Sequence, residues 1–329
     1  MTRPPKDQGT ALMAALLLVA LMATVSLQLV DMSRFAVFRT GHIDTRASNY
    51  WQALGAREFA ESVIQRSLNE AVMRSDLAWL NEPQVFATDD GLVTGQITDS
   101  NNCLNINAMV EQSGEDVDLE TTGDAQRARE RFDRLMIHIG APPGQMRSLS
   151  MQIIDWIDAD TRPEPGGAED QTYEGFEPAY RTANRPMAQL DELMALPDMT
   201  PSLYATLEPW LCALPIRTQP PLNLNTLRLD QAPLLAAVFS EGMTLADAEA
   251  VLFRRPPQGY DAVEAFFADP IIEPLEPDAV DQASVTLRSQ WFAMSVTLRT
   301  QEARFTLSQL TEFGDNQQVT RHQQRFGAL

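Results

Sequence analysis

The side chains best placed to do chemistry lie in one stretch, residues 155–170, which reads D-W-I-D-A-D-T-R-P-E-P-G-G-A-E-D. Five carboxylates fall between Asp158 and Asp170, interleaved with two prolines and two glycines that disfavour a continuous helix. Crowded into a loop, such groups repel one another until water or a hard cation relieves them. Hard oxygen ligands at short, irregular spacing suit Ca2+, which takes roughly six to eight oxygens in flexible geometry. An EF-hand template fits only in part. Started at Asp158, it places Asp160 at position 3 and Glu169 at position 12, but Arg162 and Pro163 fall where an oxygen ligand and the glycine belong. On spacing alone, a solvated acidic loop is the simpler reading and a calcium loop stands beside it. A catalytic metal is a poorer fit, because His42, His138 and His322 show no ligand spacing with this loop. The chain also contains no G-x-S-x-G, P-loop or paired Cys/His motif.

The two cysteines, Cys103 and Cys212, are compatible with one disulfide in an oxidising compartment, although two cysteines are also what chance gives. Each stands near a copy of L-N-[IL]-N, at 104–107 and 222–225, and these copies could be adjacent extended segments. A bridge across so long a loop stabilises by up to about 4.7 kcal/mol in the chain-entropy model. Residues 190–201, and 222–226 followed by 241–255, resemble helix-hairpin-helix units. DNA receptors use such hairpins to offer amides to phosphates, but here Asp198 and Glu241 sit at the hairpins and favour a packing role.

These residues need elements to hold them. Ala128, Phe132, Leu135, Met136 and Ile139 predict a helix over 124–139, stopped by Gly140 and Pro142-Pro143, and helices dominate to about Leu214. Residues 92–98 read as a strand entered from a turn at Asp89-Asp90-Gly91, giving a hairpin. Residues 291–298 and 304–310, rich in aromatic and β-branched side chains, read as strands closing a sheet. Strand-like pieces on both sides of a helical middle predict an α+β head with a large inserted helical domain. Residues 314–329 read as a polar tail.

Ahead of the head, the run from Ala11 to Val30 carries no charge, and as a helix it would be about 30 Å long, enough to cross a bilayer core. Helix continues to about Thr40, and Gly41 permits a break. A second amphipathic helix follows, with Ala53, Ala56, Ala60, Val63, Ile64, Ser67 and Ala71 on one face and Glu58, Glu61, Ser62 and Gln65 opposite. Arg3 and Lys6 precede the apolar run, but Arg34, Arg39 and Arg46 follow it as closely, so the charge bias does not set orientation. The 329 residues carry 45 acidic against 25 basic side chains, a net charge of −20, which argues against nucleic acid as a partner.

The junction of Gly9 and Thr10 with the apolar run resembles the leader of type IV pilins and type II secretion pseudopilins. That resemblance implies cleavage by a prepilin peptidase between Gly9 and Thr10, methylation of the new N-terminus, and a hydrophobic helix kept on the mature protein. Most such proteins carry Glu at the fifth mature position, where this chain has Ala14. A carboxylate inside a membrane is retained for a partner, so its absence suits a subunit with no neighbour above it. Together with W-I-D-x-D-x-x-P, G-A-E-D, Tyr173, residues 178–186 and N-L-N-T at 223–226, the chain resembles the K subunit of the type II secretion system.

Membership of that family would imply a pilin-like fold, with a long N-terminal helix packed on a small antiparallel sheet. It divides the chain into a leader (1–9), a membrane and pilus-core helix (10–30), the first part of the head (31–107), the inserted helical domain (108–219), and hairpin-like helices with closing strands (220–329). The resemblance further implies a non-enzymatic minor pseudopilin at the tip of a periplasmic pseudopilus, assembled with the I and J minor pseudopilins. It would be a single-pass protein of the bacterial inner membrane with its body in the periplasm. Calcium is implied at the acidic loop, with Asp158, Asp160, Thr161, Glu164, Glu169 and Asp170 as candidate ligands. A membrane-anchored helix-hairpin-helix DNA receptor and a signal-anchored metal-dependent hydrolase are the alternatives.

Overall fold

The computed structural model describes residues 8–70, 72–88, 91–111, 123–239, 242–300, 304–314, 316 and 318–327. Two compact units divide after Ala56. The expected leader 1–9 falls outside the described residues except for its last two positions, as do Ala71, Asp89, Asp90 and Glu241.

The first unit is helical. α1 runs without interruption from Gln8 to Leu68, so Gly41 does not break it as expected. One glycine in a helix interior disfavours it by only about 1 kcal/mol, too little to end a helix that continues for many turns on both sides. Thr40 and Thr45 hydroxyls also fold back onto the carbonyls of Ala36 and Gly41, four residues earlier. The apolar part has a mean hydropathy of 2.3 over its best window, and Leu12, Leu16 and Leu27 are each more than 60% exposed. Charge-free and bare, this surface is suited to a lipid solvent.

In the second unit, β1 (Gln84–Thr88) and β2 (Gly91–Asp99) form the expected hairpin. The chain then leaves the sheet for a helical body. In order come β3 (Leu104–Asn105), α2 (Asp124–His138), α3 (Pro143–Ile157), α4 (Asp170–Tyr173), α5 (Pro201–Leu207), β4 (Leu211–Cys212) and β5 (Leu222–Asn223). After these follow α6 (Ala232–Val238), α7 (Leu245–Arg254), α8 (Val263–Phe267), α9 (Ala279–Ala283) and β6 (Val285–Thr286). The sheet resumes with β7 (Trp291–Thr300), β8 (Arg304–Phe313) and β9 (Val319–Gly327), in antiparallel order β1-β2-β7-β8-β9. Strand β9 lies where a polar tail was expected. As an edge strand exposed over most of its length it has no apolar face to betray it, and its backbone ladder to β8 is supplemented by His322 beside Glu312 at 2.7 Å and Phe326 beside Phe305.

Residues 57–68 of α1 belong to this unit and cover the sheet, with Ile64 and Leu68 meeting Ile97, Phe292, Met294 and Phe313. Glu61, expected on the solvent face, is instead 5% exposed. Arg321 of β9 grips it with Nε at 2.9 Å and Nη2 at 2.6 Å, and Gln309 of β8 donates to it at 2.9 Å. A bidentate arginine and a second donor make that burial tolerable and fix the strand register against the helix.

The main hydrophobic core of the body runs from Leu104 to Leu287 and joins residues on both sides of position 219. The two L-N-[IL]-N segments do not pair with each other, although Asn102, just ahead of the first, accepts the N–H of Asn223 in the second at 2.8 Å. The first pairs with β4, matching Leu104 to Leu211, and the second with β6, matching Leu222 to Val285. Their asparagines explain the repeat, because all four are buried and three of them fasten loop backbones, while Asn223 donates to the Ser289 hydroxyl at 2.8 Å. Asn105 holds Leu214, Ile216 and Thr218; Asn107 holds Met187 and Leu214; Asn225 holds Met73 and Tyr260. An amide offers both donors and acceptors, so it can satisfy buried backbone groups of either kind. Gly259 (φ 90°) passes so close that a Cβ there would sit 2.5 Å from Asn225 Cγ. Cys103 and Cys212 form a disulfide beside the β3–β4 ladder, with Cα atoms 5.8 Å apart.

Departure and return of the body lie side by side, since Asp99 is opposite Phe292 in the β2–β7 register. Asp99 is buried there and accepts hydrogen bonds from Asn101 N (2.9 Å) and from the hydroxyls of Thr226 and Ser289. Enclosure raises its pKa above the usual carboxylate range, against the lowering effect of those donors.

Candidate metal centre

α3 and α4 frame the acidic loop. α3 ends at Ile157, with Asp158 as its C-cap donating N–H to the Ile154 carbonyl. One turn earlier Asp155 points inward, is fully buried, and accepts the Glu164 N–H at 3.0 Å. The loop folds over that carboxylate so closely that a Cβ on Gly167 would lie 2.0 Å from Asp155 Oδ2, and Gly166 takes φ 95° just before it. The pair of glycines is therefore required by close approach and by a left-handed turn. Asp160 stabilises the outer bend by accepting the Arg162 N–H at 2.8 Å, and α4 restarts helix with Glu169 as its N-cap.

Carboxylate oxygens of Asp158, Asp160 and Glu169 converge to within 4.8 Å of one another. Glu169 is 5% exposed, and its Oε1 and Asp158 Oδ1 are buried without a hydrogen-bond partner. The electrostatics agree with the geometry. Burial, then the charges of Asp160, Asp155 and Glu169, push the Asp158 pKa up to about 6. Burial likewise raises Glu169 and Asp155. Orphan oxygens among like charges form a donor set suited to a hard cation.

The other candidate ligands lie differently. Asp170 turns to Thr182, accepting its N–H at 3.0 Å, and stands 3.9 Å from Arg181. Glu164 contributes its amide to Asp155, while its side chain and that of Thr161 are exposed. Asp155 itself was not among the sequence-derived ligands, although it shapes the loop from beneath. Its place on the inner face of α3, one residue before Trp156, is the signal that points to it.

Under the loop, Trp156 packs edge-on against Tyr173 with ring centres 5.3 Å apart, and its Nε1 donates to Glu192 at 3.4 Å. The 190–199 segment is a packing joint. Asp198 Oδ2 accepts from Gln152 of α3 at 2.7 Å and from Ser148, so the acid at this hairpin braces α3.

A long apolar N-terminal helix whose last turns pack on an antiparallel sheet defines a pilin-like protein, here with a helical body set between two of its strands. The sequence profiles described as type II secretion system (T2SS), protein K match residues 102–216 and 222–288. Type II secretion system protein K of Pectobacterium carotovorum is 31% identical over 322 residues, covering 97% of this chain and 96% of that protein. The Klebsiella pneumoniae protein of the same name is 33% identical over 270 residues, covering 82% of this chain and 81% of the relative. The chain belongs to the type II secretion system protein K family and is a minor pseudopilin of that system.

In fold it is similar to a chain of the crystallised GspK-GspI-GspJ complex from the enterotoxigenic Escherichia coli type 2 secretion system. That likeness has a TM-score of 0.73 at 24% identity and covers 88% of this chain and 100% of that one. Neither the DNA-receptor nor the hydrolase reading finds support in these comparisons.

Proposed function

We propose that this subunit occupies the tip of the type II secretion pseudopilus, beside the I and J minor pseudopilins, and helps to initiate its assembly. The observation that carries the reading is similarity to protein K over nearly the whole chain, apolar helix included. The solved complex supports the partners, because it joins a chain of the same fold to GspI and GspJ. Before assembly the protein is held in the bacterial inner membrane by one span over Ala11–Val30, with its body in the periplasm. A prepilin peptidase cuts between Gly9 and Thr10, and the new N-terminus is methylated. Ala14 leaves the fifth mature position without a carboxylate, as a subunit with nothing stacked above it requires. The role is structural, with no catalysis assigned.

At the acidic loop, Asp158, Asp160 and Glu169 would hold Ca2+. The ion would supply positive charge where crowded carboxylates now face one another, fixing the loop between α3 and α4. The orphaned oxygens of Asp158 and Glu169 support this fit.

Mass spectrometry of protein from cells containing a prepilin peptidase tests the pathway. A mature chain that starts at N-methylated Thr10 and co-purifies with I and J is the expected result. An intact leader, or a cut beyond Val30, would overturn it.

A further inference from the structure

We propose that Thr182 couples the cation site to the exposed segment 174–186, so that Ca2+ held by Asp158, Asp160 and Glu169 fixes this segment and its removal releases it. The inference rests on the calcium reading above and extends it to a second stretch of chain. Residues 174–186 form neither helix nor strand. Their first half is pinned by aromatic packing. Phe176 stacks on Tyr180 at 5.8 Å with rings 12° apart, Tyr180 meets Tyr173 at 5.2 Å, and its hydroxyl donates to Ala195 O at 2.6 Å. The next firm attachment is Met187, whose N–H meets Asn107 at 2.8 Å.

Between those points Thr182 provides the attachment. Its N–H donates to Asp170 Oδ1 at 3.0 Å, and its hydroxyl lies 2.9 Å from Asp170 Oδ1 and 3.1 Å from Glu169 Oε2, so one proton serves either carboxylate. Among the described residues, the other contacts of this stretch are the longer 3.9 Å approach of Arg181 to Asp170, made by an arginine side chain 74% exposed, and the packing of Ala183 on the body's core. Glu169 is thus shared. It faces Thr182 with Oε2, its buried Oε1 has no hydrogen-bond partner, and its carboxylate is grouped with those of Asp158 and Asp160. A cation that holds the Glu169 carboxylate also holds the acceptor of the Thr182 hydroxyl. Without the cation, repulsion within the group acts on the same carboxylate and loosens the latch.

The sequence makes the coupling measurable. Between Arg147 and Arg217 the basic residues are Arg162, Arg181 and Arg185. Arg162 and Arg185 precede proline, which trypsin does not cut, so Arg181–Thr182 is the cleavable bond in this interval. Full-length protein in detergent micelles is digested in excess Ca2+ or in EGTA, and the fragment beginning at residue 182 is followed by mass spectrometry. Ca2+ binding by each protein is measured in parallel by titration calorimetry.

Wild type is expected to be cut roughly tenfold more slowly with Ca2+, as cleavage follows the population of the open segment. Thr182→Val should still bind Ca2+ while its protection falls to within about twofold, and Thr182→Ser, which keeps the hydroxyl, should be protected like wild type. Binding of Ca2+ by wild type with no change in cleavage overturns the coupling and leaves the calcium reading standing. Full protection in Thr182→Val, or lost protection in Thr182→Ser, overturns the role of the hydroxyl. A flat calorimetric titration of wild type removes the calcium reading and the coupling with it.

Discussion

At the junction of sheet and body, Asp99 is buried with an amide and two hydroxyls turned onto its carboxylate; at the end of α3, Glu169 is buried and Asp158 half-buried with other carboxylates as neighbours. Desolvation raises the pKa in both places. What differs is the answer the fold gives to it. Around Asp99 the chain supplies donors from three separate segments, at Asn101, Thr226 and Ser289, and the site is complete as a protein structure. Around Asp158 and Glu169 two oxygens remain without partners, and the neighbours add charge of the same sign. A buried acid is therefore informative through what surrounds it, and only the second arrangement asks for something from solution.

The comparison can be broken by experiment, most forcefully at the junction. Asp99→Ala should destabilise by about 3 kcal/mol, since two hydroxyls and an amide lose their acceptor, and the loss measured by urea unfolding should be the same in Ca2+ and in EGTA. A loss that depends on Ca2+ would mean that the two sites are not independent. Next in size is calcium itself. At about a hundredfold excess over Kd it should stabilise wild type by about 2.7 kcal/mol, seen as a higher melting temperature, and Asp158→Ala should abolish the difference. Identical melting of wild type in Ca2+ and EGTA would return the loop to a solvated acidic turn.

Smaller and opposite in sign is Asp158→Asn in EGTA. Removing one of several repelling charges should leave stability unchanged or raise it by up to about 1 kcal/mol, whereas Asp99→Asn gains nothing comparable. A clear loss in EGTA would show that the Asp158 charge already has a protein partner.

The smallest effect is on pH dependence. Asp99 has a raised pKa in the folded state, so the stability it contributes is fully present below the ordinary carboxylate range and declines as pH rises through its folded value. Asp99→Asn should flatten that decline, read as a shallower fall in melting temperature as pH rises above the ordinary carboxylate range. An unchanged slope would assign the pH dependence to other groups.

Much of this organisation is legible in the residues, for reasons that also explain what is not. α2 announces itself by the spacing of Ala128, Phe132, Leu135 and Met136, all buried, and β7 and β8 by runs of β-branched and aromatic residues. Each has a one-sided environment that writes a period into the sequence. β9 faces solvent over most of its length and leaves no such trace. Glu61 looks like a surface acid until Arg321, 260 residues away, is brought against it. The acidic loop is visible because its carboxylates are close in sequence. Its division of labour is hidden, because Asp170 is drawn aside by Thr182, twelve residues on. The repeated L-N-[IL]-N is plain as a pattern, but its meaning lies in the distant backbones that Asn105, Asn107 and Asn225 hold.

The side-by-side anchorage of the body has a mechanical consequence. Asn101 accepts the N–H groups of Gln290 and Trp291, 189 and 190 residues further on, so both ends of the body are fastened at one corner of the sheet. Tension applied along β2 and β7 is passed across their ladder in shear, without traversing the body. The body also meets the sheet away from that corner, through Leu214 packed with Trp291 and Leu310 and through Asp191 beside Arg325 of β9. A pseudopilin built this way can carry a bulky body whose two ends share one anchor on the sheet.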